Sequence, residues 1–254
     1  MWHNWLIAWE RKNVVMRFMN YGYAPLEGKT EMFPLSTDDE PERFCTQLYH
    51  YAVSHIELKD KDILEVGSGR GGGASYISRY LLPRSYVALD LSVKGIEFCN
   101  DFYSSPNLRF VRGEAENLPF DDQHFDVVVN VESSRVYADI ERFFREVFRV
   151  LKPGGAFLLT DMRPRHQVEH LHRQVQEAGF LVQKYENITN NVVKALDLDD
   201  KRKKHLIRKR VPGPLIKMFG EFAGLRGSGR YASFASGAMQ YVSYFLLKPL
   251  ENAK

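Results

Sequence analysis

"FDVVVNV", residues 125–131, is the stretch that most restricts this chain. A run this apolar, with no alternating polar face, belongs to a strand buried on both sides. Such a strand needs helices above and below it. The flanking sequence supplies them. "DILEV" (62–66), "SYVALD" (85–90), "LRFVR" (108–112) and "AFLLTD" (156–161) read as further strands. Helical stretches fall between them, over about 72–82, about 93–103 and 138–151. The first carries Ile77, Tyr80 and Leu81 at helical spacing, and the last puts Ile140, Phe143, Phe144, Val147, Val150 and Leu151 on one stripe. "KPGG", 152–155, reads as the stop of that helix. Strand and helix alternating in this way predict a mostly parallel sheet with helices on both faces.

Two regions fall outside the alternation. Residues 1–58 precede the first strand and read as a helical N-terminal cap, with Pro41 at the start of a helix after Asp38 and Asp39. Phe44, Leu48, Tyr51, Ala52 and His55 then share a face. "LVQKYENI" (181–188) and "QYVSYFLL" (240–247) complete seven strands, and the long interval between them, 189–239, reads as a lid inserted before the last strand. The expected division is therefore 1–58 and 59–250. A chain of 254 residues, 44% hydrophobic and 26% charged, suits this plan. No apolar run approaches the ~18 residues of a membrane span, and the N-terminus lacks a signal-peptide layout. Cys45 and Cys99 form no CxxC and read as free thiols of a reducing cytosol, so a cytoplasmic location is expected. No Cys/His group has zinc spacing, and no metal is expected. A net charge of +3 with no RNA-binding module argues against nucleic acid.

"EVGSGRGGG", 65–73, joins the first strand to the first helix and fits two patterns. Through Gly67, Gly69 and Gly72 it reads G-x-G-x-x-G, the dinucleotide pattern. Through Glu65, Gly67, Gly69 and Gly71 it reads E-x-G-x-G-x-G, the pattern of enzymes that use S-adenosylmethionine. Asp90, at the end of the second strand, suits a ribose diol in either cofactor and does not discriminate.

The next segments do discriminate. "GEAENLPF", 113–120, resembles the G-D-A-E-x-L-P-F segment of class I S-adenosylmethionine-dependent methyltransferases, with Glu114 in place of the usual aspartate. "FDVVVNVES" and "RVLKPGG" resemble the fourth- and fifth-strand segments of the same superfamily. Together with "LYHYAV" and "GGGASYISR", these stretches are similar to the phthiotriolone and phenolphthiotriolone dimycocerosate methyltransferases, over roughly residues 20–165 and weakly beyond. The resemblance implies a Rossmann-like, doubly wound α/β fold and S-adenosyl-L-methionine as cofactor. It implies O-methylation of a hydroxyl on a hydrophobic small molecule, such as a polyketide or lipid. C- or N-methylation of the sterol or quinone type shares most of these motifs. A non-catalytic S-adenosylmethionine-binding protein and, more remotely, a dinucleotide oxidoreductase are the other readings.

Carried over residue by residue, the resemblance gives Glu65 to the Gly loop and the methionine amino group, though an acid there can also cap the helix. Gly67, Gly69 and Gly71 leave room for the ligand, and Asp90 takes the ribose. Leu91 falls on the adenine face or simply packs, and Glu114 with the Ala115 amide meets the adenine edge. Asn130 joins this cofactor set, as does Tyr21 or Tyr23 from "MNYGYAP", whose ring would face the sulfonium or else pack. The chain departs from the pattern at Arg135, which stands where the lipid-type enzymes carry a histidine. Arginine stays protonated and is no base at neutral pH. Glu132, then His50, then His166 are the candidates to take a proton, unless the acceptor needs no base. Arg135 then binds an acidic group of the acceptor, with Tyr137 beside it. Trp2, Trp5 and Trp9 share a helical face with Leu6, which suits a membrane surface, the chain's own domain or a second subunit. A homodimer is thus one open reading. "KRKKHLIRKR", 201–210, reads as a solvated helix face or as a site for anionic lipid or an acidic substrate.

Overall fold

The computed structural model describes residues 16–26 and 33–250. Among them, β1 (Asp62–Val66), β2 (Ser85–Asp90), β3 (Leu108–Arg112), β4 (Phe125–Val131), β5 (Leu151–Pro164), β6 (Leu181–Asn187) and β7 (Met239–Leu247) form one sheet in the order β3-β2-β1-β4-β5-β7-β6. The first five strands run parallel, and β7 is antiparallel to both β5 and β6. The order reverses between β1 and β4, which opens a crevice beyond their C-terminal ends.

Helices cover both faces: α1 (Arg43–Val53), α2 (Gly72–Tyr80), α3 (Val93–Phe102), α4 (Ile140–Val150) and α5 (Val168–Glu177). Strand alternation divides the apolar residues between two cores. Val127 and Val129 of β4 face Leu48 of α1 and Ile77 of α2, whereas Val128 faces Phe143, Phe144 and Val147 of α4. A register shift between Phe125 and Val127 puts Phe125 on the same side as Val128. The Asp139 side chain caps α4 through the Arg142 amide, 2.8 Å.

"KPGG" does more than stop α4. The helix ends at Val150, and β5 begins at once with Leu151. Gly154 N–H donates to the Lys248 carbonyl and Lys248 N–H to the Gly155 carbonyl, so the two glycines extend the sheet past the end of β7.

The N-terminal region is helical through α1, preceded by a 3₁₀ turn over Glu40–Glu42. Residues 16–26 contain no helix and run as a strap over the Gly loop. Arg17 holds the strap down by ion pairs to Asp39 and Glu42 at 2.6 and 2.7 Å. Between β6 and β7 lie α6 (Thr189–Arg210), a 3₁₀ turn (Gly213–Leu215), α7 (Ile216–Phe222) and α8 (Gly229–Ala235). The aromatic face of Trp2, Trp5 and Trp9 lies outside the described residues. No described helix is long and apolar enough to cross a membrane.

Candidate active site

A cavity of about 970 Å³ occupies the crevice at the C-terminal ends of the parallel strands. The Gly loop, the ends of β2 and β4, the loop after β3 and the strap from Arg17 to Asn20 wall it, with Phe222 of α7 at its edge.

Each strand end delivers a distinct group. After β1, Gly67 has φ +80°, and a Cβ there would lie 2.2 Å from Ser133 Oγ. Only glycine fits both the conformation and the space. Gly73 meets a different constraint, since a Cβ would enter the Tyr49 ring. Asp90 turns back on the loop. Its Oδ2 accepts from Gly69 N–H at 2.8 Å and its Oδ1 from Ser92 N–H at 2.9 Å. The two amides fix the carboxylate, and each oxygen keeps a lone pair for a ligand in the cavity.

The same loop lacks a dinucleotide's phosphate cradle. A pyrophosphate needs open amides at the helix start. Here Gly71 N–H donates to the Ser68 carbonyl and Gly72 N–H to the Arg17 carbonyl, 3.0 and 3.1 Å. Carboxylates and aromatic rings line the wall instead, among them Asp90, Glu114, Glu132 and Tyr49. That donor set fits a ligand with a sugar diol and a cationic centre.

Glu132, just past β4, is the most constrained residue of the wall. It is buried and holds φ +53°, an uncommon conformation for a residue with a side chain. Its Oε1 accepts from the Tyr21 amide at 2.8 Å and from the Tyr241 hydroxyl of β7. Its Oε2 has no hydrogen-bond partner in the protein. Burial pushes the carboxyl up to about 7, against the pull of the Arg135 charge and the two hydrogen bonds.

Arg135 follows on a 3₁₀ turn, Ser134–Val136, and also lines the cavity. Its guanidinium donates to the Glu132 carbonyl and lies 3.5 Å from Asp161. Tyr137 lines the wall too, with its hydroxyl bound to Ser133 Oγ at 2.8 Å and to Asn130 Nδ2 at 3.1 Å. Leu91, Glu114 and Ala115 are on the wall as well.

Other sequence candidates sit elsewhere. Glu65 is fully buried behind the wall, where Tyr49 and Tyr86 donate to its two oxygens at 2.8 and 3.0 Å. Burial pushes this carboxyl up to about 7 as well. Asn130 is likewise buried, with its amide nitrogen on the Val66 carbonyl at 2.9 Å. Tyr21 gives its amide to Glu132, while its ring packs edge-on against Phe234. Tyr23 stacks on Tyr51, 4.3 Å between centroids. Neither ring reaches the cavity, whose aromatic surface comes from Phe18, Tyr49, Tyr137 and Phe222. His50 stands on Phe33 and bonds Tyr76 through Nδ1 at 2.7 Å, and burial lowers its pKa. His166 is exposed on a 3₁₀ turn after β5. Neither histidine borders the cavity. The strap residues Arg17, Phe18 and Met19, and Tyr241, carry no sequence signal of a site. Their partners are brought in by the fold. Among the described residues, no His/Cys/Asp/Glu group forms a metal site.

The family described as "Methyltransferase domain" matches residues 64–159. The chain is 36% identical over 250 residues to the phthiotriol/phenolphthiotriol dimycocerosates methyltransferase of Mycobacterium tuberculosis, covering 98% of this chain and 92% of that protein. It is 37% identical over 234 residues to the fatty-acid O-methyltransferase of Mycolicibacterium smegmatis, covering 92% and 84%. Among solved structures, the fold superposes on the cyclopropane synthase MmaA2 of Mycobacterium tuberculosis with a TM-score of 0.67 at 15% identity, over 96% of this chain and 98% of that one. Geranyl diphosphate C-methyltransferase of Streptomyces coelicolor A3(2), solved with S-adenosyl-L-homocysteine, gives 0.63 at 18% identity, over 97% and 98%.

Proposed function

The chain belongs to the phthiotriol/phenolphthiotriol dimycocerosates methyltransferase family of S-adenosylmethionine-dependent enzymes, and on that premise we propose that it O-methylates a hydroxyl of a hydrophobic small molecule. S-adenosylmethionine, when bound, supplies a methyl group already activated on a sulfonium. The residues of this chain then have to bind, align and keep water out.

Asp90 is suited to the ribose hydroxyls, with the Gly69 and Ser92 amides holding it in place. Leu91, Glu114 and the Ala115 amide border the part of the cavity next to it and suit the adenine. Glu65 acts from behind the wall by fixing Tyr49 and Tyr86, and Asn130 by tying Val66 to the turn at Ser133. The strap serves as the cap and the 189–239 insertion as the lid, since both contribute to the cavity wall.

One observation carries the choice of a hydroxyl acceptor: Glu132 is a buried carboxylate with one oxygen held and the other unengaged. The Tyr21 amide and Tyr241 hydroxyl anchor Oε1, and Oε2, buried in the wall with no partner, takes the proton of the acceptor once the residues over it make way. With its carboxyl at about 7, a large share is ionised at neutral pH, which suits a general base. Arg135 keeps that share up by favouring the charged form. It also offers a cation to a polar group of the acceptor, with Tyr137 alongside.

The relative named fatty-acid O-methyltransferase points to a second acceptor type, a carboxylate, which is nucleophilic without a base. Glu132→Gln separates the two. With a long-chain secondary alcohol as acceptor, kcat should fall by roughly 10²–10⁴. S-adenosylhomocysteine affinity, read by calorimetry, should stay the same. If the variant keeps full activity on a long-chain fatty acid and the wild type does not use the alcohol, the hydroxyl reading fails.

A further inference from the structure

We propose that the outer face of α6 docks on an anionic lipid surface. The exposed residues of its second half are Lys201, His205, Arg208 and Lys209. Spaced by four, three and one, they fall on one stripe of the helix. No described carboxylate lies within ion-pair distance of any of the four. Of the neighbouring cations, Arg202 and Lys203 share Asp199 and Lys204 pairs with Asp200, while Arg210 is half-buried. The exposed stripe therefore carries Lys201, Arg208 and Lys209 as charges without a described carboxylate beside them. Cations in the last turn complement the helix dipole. Lys201 lies further back, where that effect has faded.

The inner side of the same helix turns Leu206 and Ile207 toward the strap that walls the site. Leu206 and Ile207, with Phe222 and Ala223 of the α7 region, line a second, smaller cavity against Phe18 and Met19 of the strap. Phe18, Met19 and Phe222 also line the main cavity, and Phe222 is 48% exposed. One element thus carries unpaired cations outside and, on its other side, Leu206 and Ile207 next to Phe18, Met19 and the half-exposed Phe222. A membrane bearing acidic headgroups matches both, because the charges meet the headgroups while the exposed Phe222 ring suits the acyl region. Nucleic acid matches only the first, since aliphatic side chains flank these charges and no stacking platform does. The proposal rests on the hydrophobic-acceptor reading only for why docking helps. The docking itself is measured without turnover.

The test is sedimentation with vesicles, of phosphatidylcholine alone and of phosphatidylcholine mixed with phosphatidylglycerol. The full chain should pellet with the mixed vesicles and stay in solution with the neutral ones. Added salt should release it. The combined variant Lys201→Glu, Arg208→Glu, Lys209→Glu should lose more than roughly tenfold in vesicle affinity while binding S-adenosylhomocysteine as the wild type does. Equal pelleting with both vesicle types, no pelleting with either, or tighter binding of an RNA oligonucleotide than of mixed vesicles would each overturn the proposal. If the variant does not fold, the salt titration of the wild type decides alone. Salt-insensitive pelleting rejects docking through this stripe.

Discussion

A single carboxylate, Glu132, gathers two distant parts of the chain and its own next turn. The Tyr21 amide comes from the strap, the Tyr241 hydroxyl from β7 and the Arg135 charge from the next turn. Its value near 7 is a balance, with burial raising it and Arg135 lowering it. Arg135→Gln removes the lowering cation, so the charged form loses support and the carboxyl rises further. The acid limb of kcat/KM should then move to higher pH by roughly one unit. The fold should hold, because Asp161 keeps Arg163 at 3.1 Å. A pH–rate profile with an unmoved acid limb would show that Glu132 does not titrate in the reaction. Glu132 was legible as a candidate, being an acid at the end of an apolar strand. So was its place ahead of the histidines, but the hydrogen bonds that hold it were not, because Tyr241 lies 109 residues away. Nor does His50 signal in sequence that it pairs with Tyr76 outside the cavity.

At the scale of elements, strand–helix alternation predicted β1 to β5 and their order of appearance. It could not foresee that the N-terminal strap completes the site. The reason is physical: residues 16–26 have no periodicity, and they take their hydrogen bonds from other elements. Asp39 is the strap's anchor. It is buried, which opposes its charge, yet hydrogen bonds from Arg79, Tyr80, Ser36 and Arg17 hold it well below the usual carboxylate range. A lowered native pKa stabilises above the unfolded value and loses that effect as pH falls through the native one. Asp39→Asn makes the loss at neutral pH. The strap should loosen over the Gly loop, where Arg17 caps Gly72, and S-adenosylhomocysteine affinity should fall about tenfold, ~1.4 kcal/mol. Calorimetry at pH 7 measures this. Unchanged affinity would mean that the strap is held in place without Asp39.

For the whole molecule, the two readings of the Gly loop part company on closure. β2, β3 and β4 deliver Asp90, Glu114 and Glu132 to one crevice, and the strap and Phe222 of the insertion border it. Sequence motifs located that crevice well, because loops at strand ends carry the ligand in any doubly wound sheet. They could not say which amides the loop leaves open. The structure does, since the Ser68 and Arg17 carbonyls already occupy the Gly71 and Gly72 amides. A ligand that joins Asp90 to the strap bridges elements that otherwise separate on unfolding, so it should act on global stability. S-adenosylhomocysteine at 100 times its dissociation constant adds ~2.7 kcal/mol. For a chain of this size that raises Tm by about 5–10 °C. NADH should give no shift, because its pyrophosphate finds those two amides taken. A thermal scan with both ligands reads the result directly. Stabilisation by NADH would require the strap to leave Gly72 and free its amide, so the closed loop would not be the state that binds.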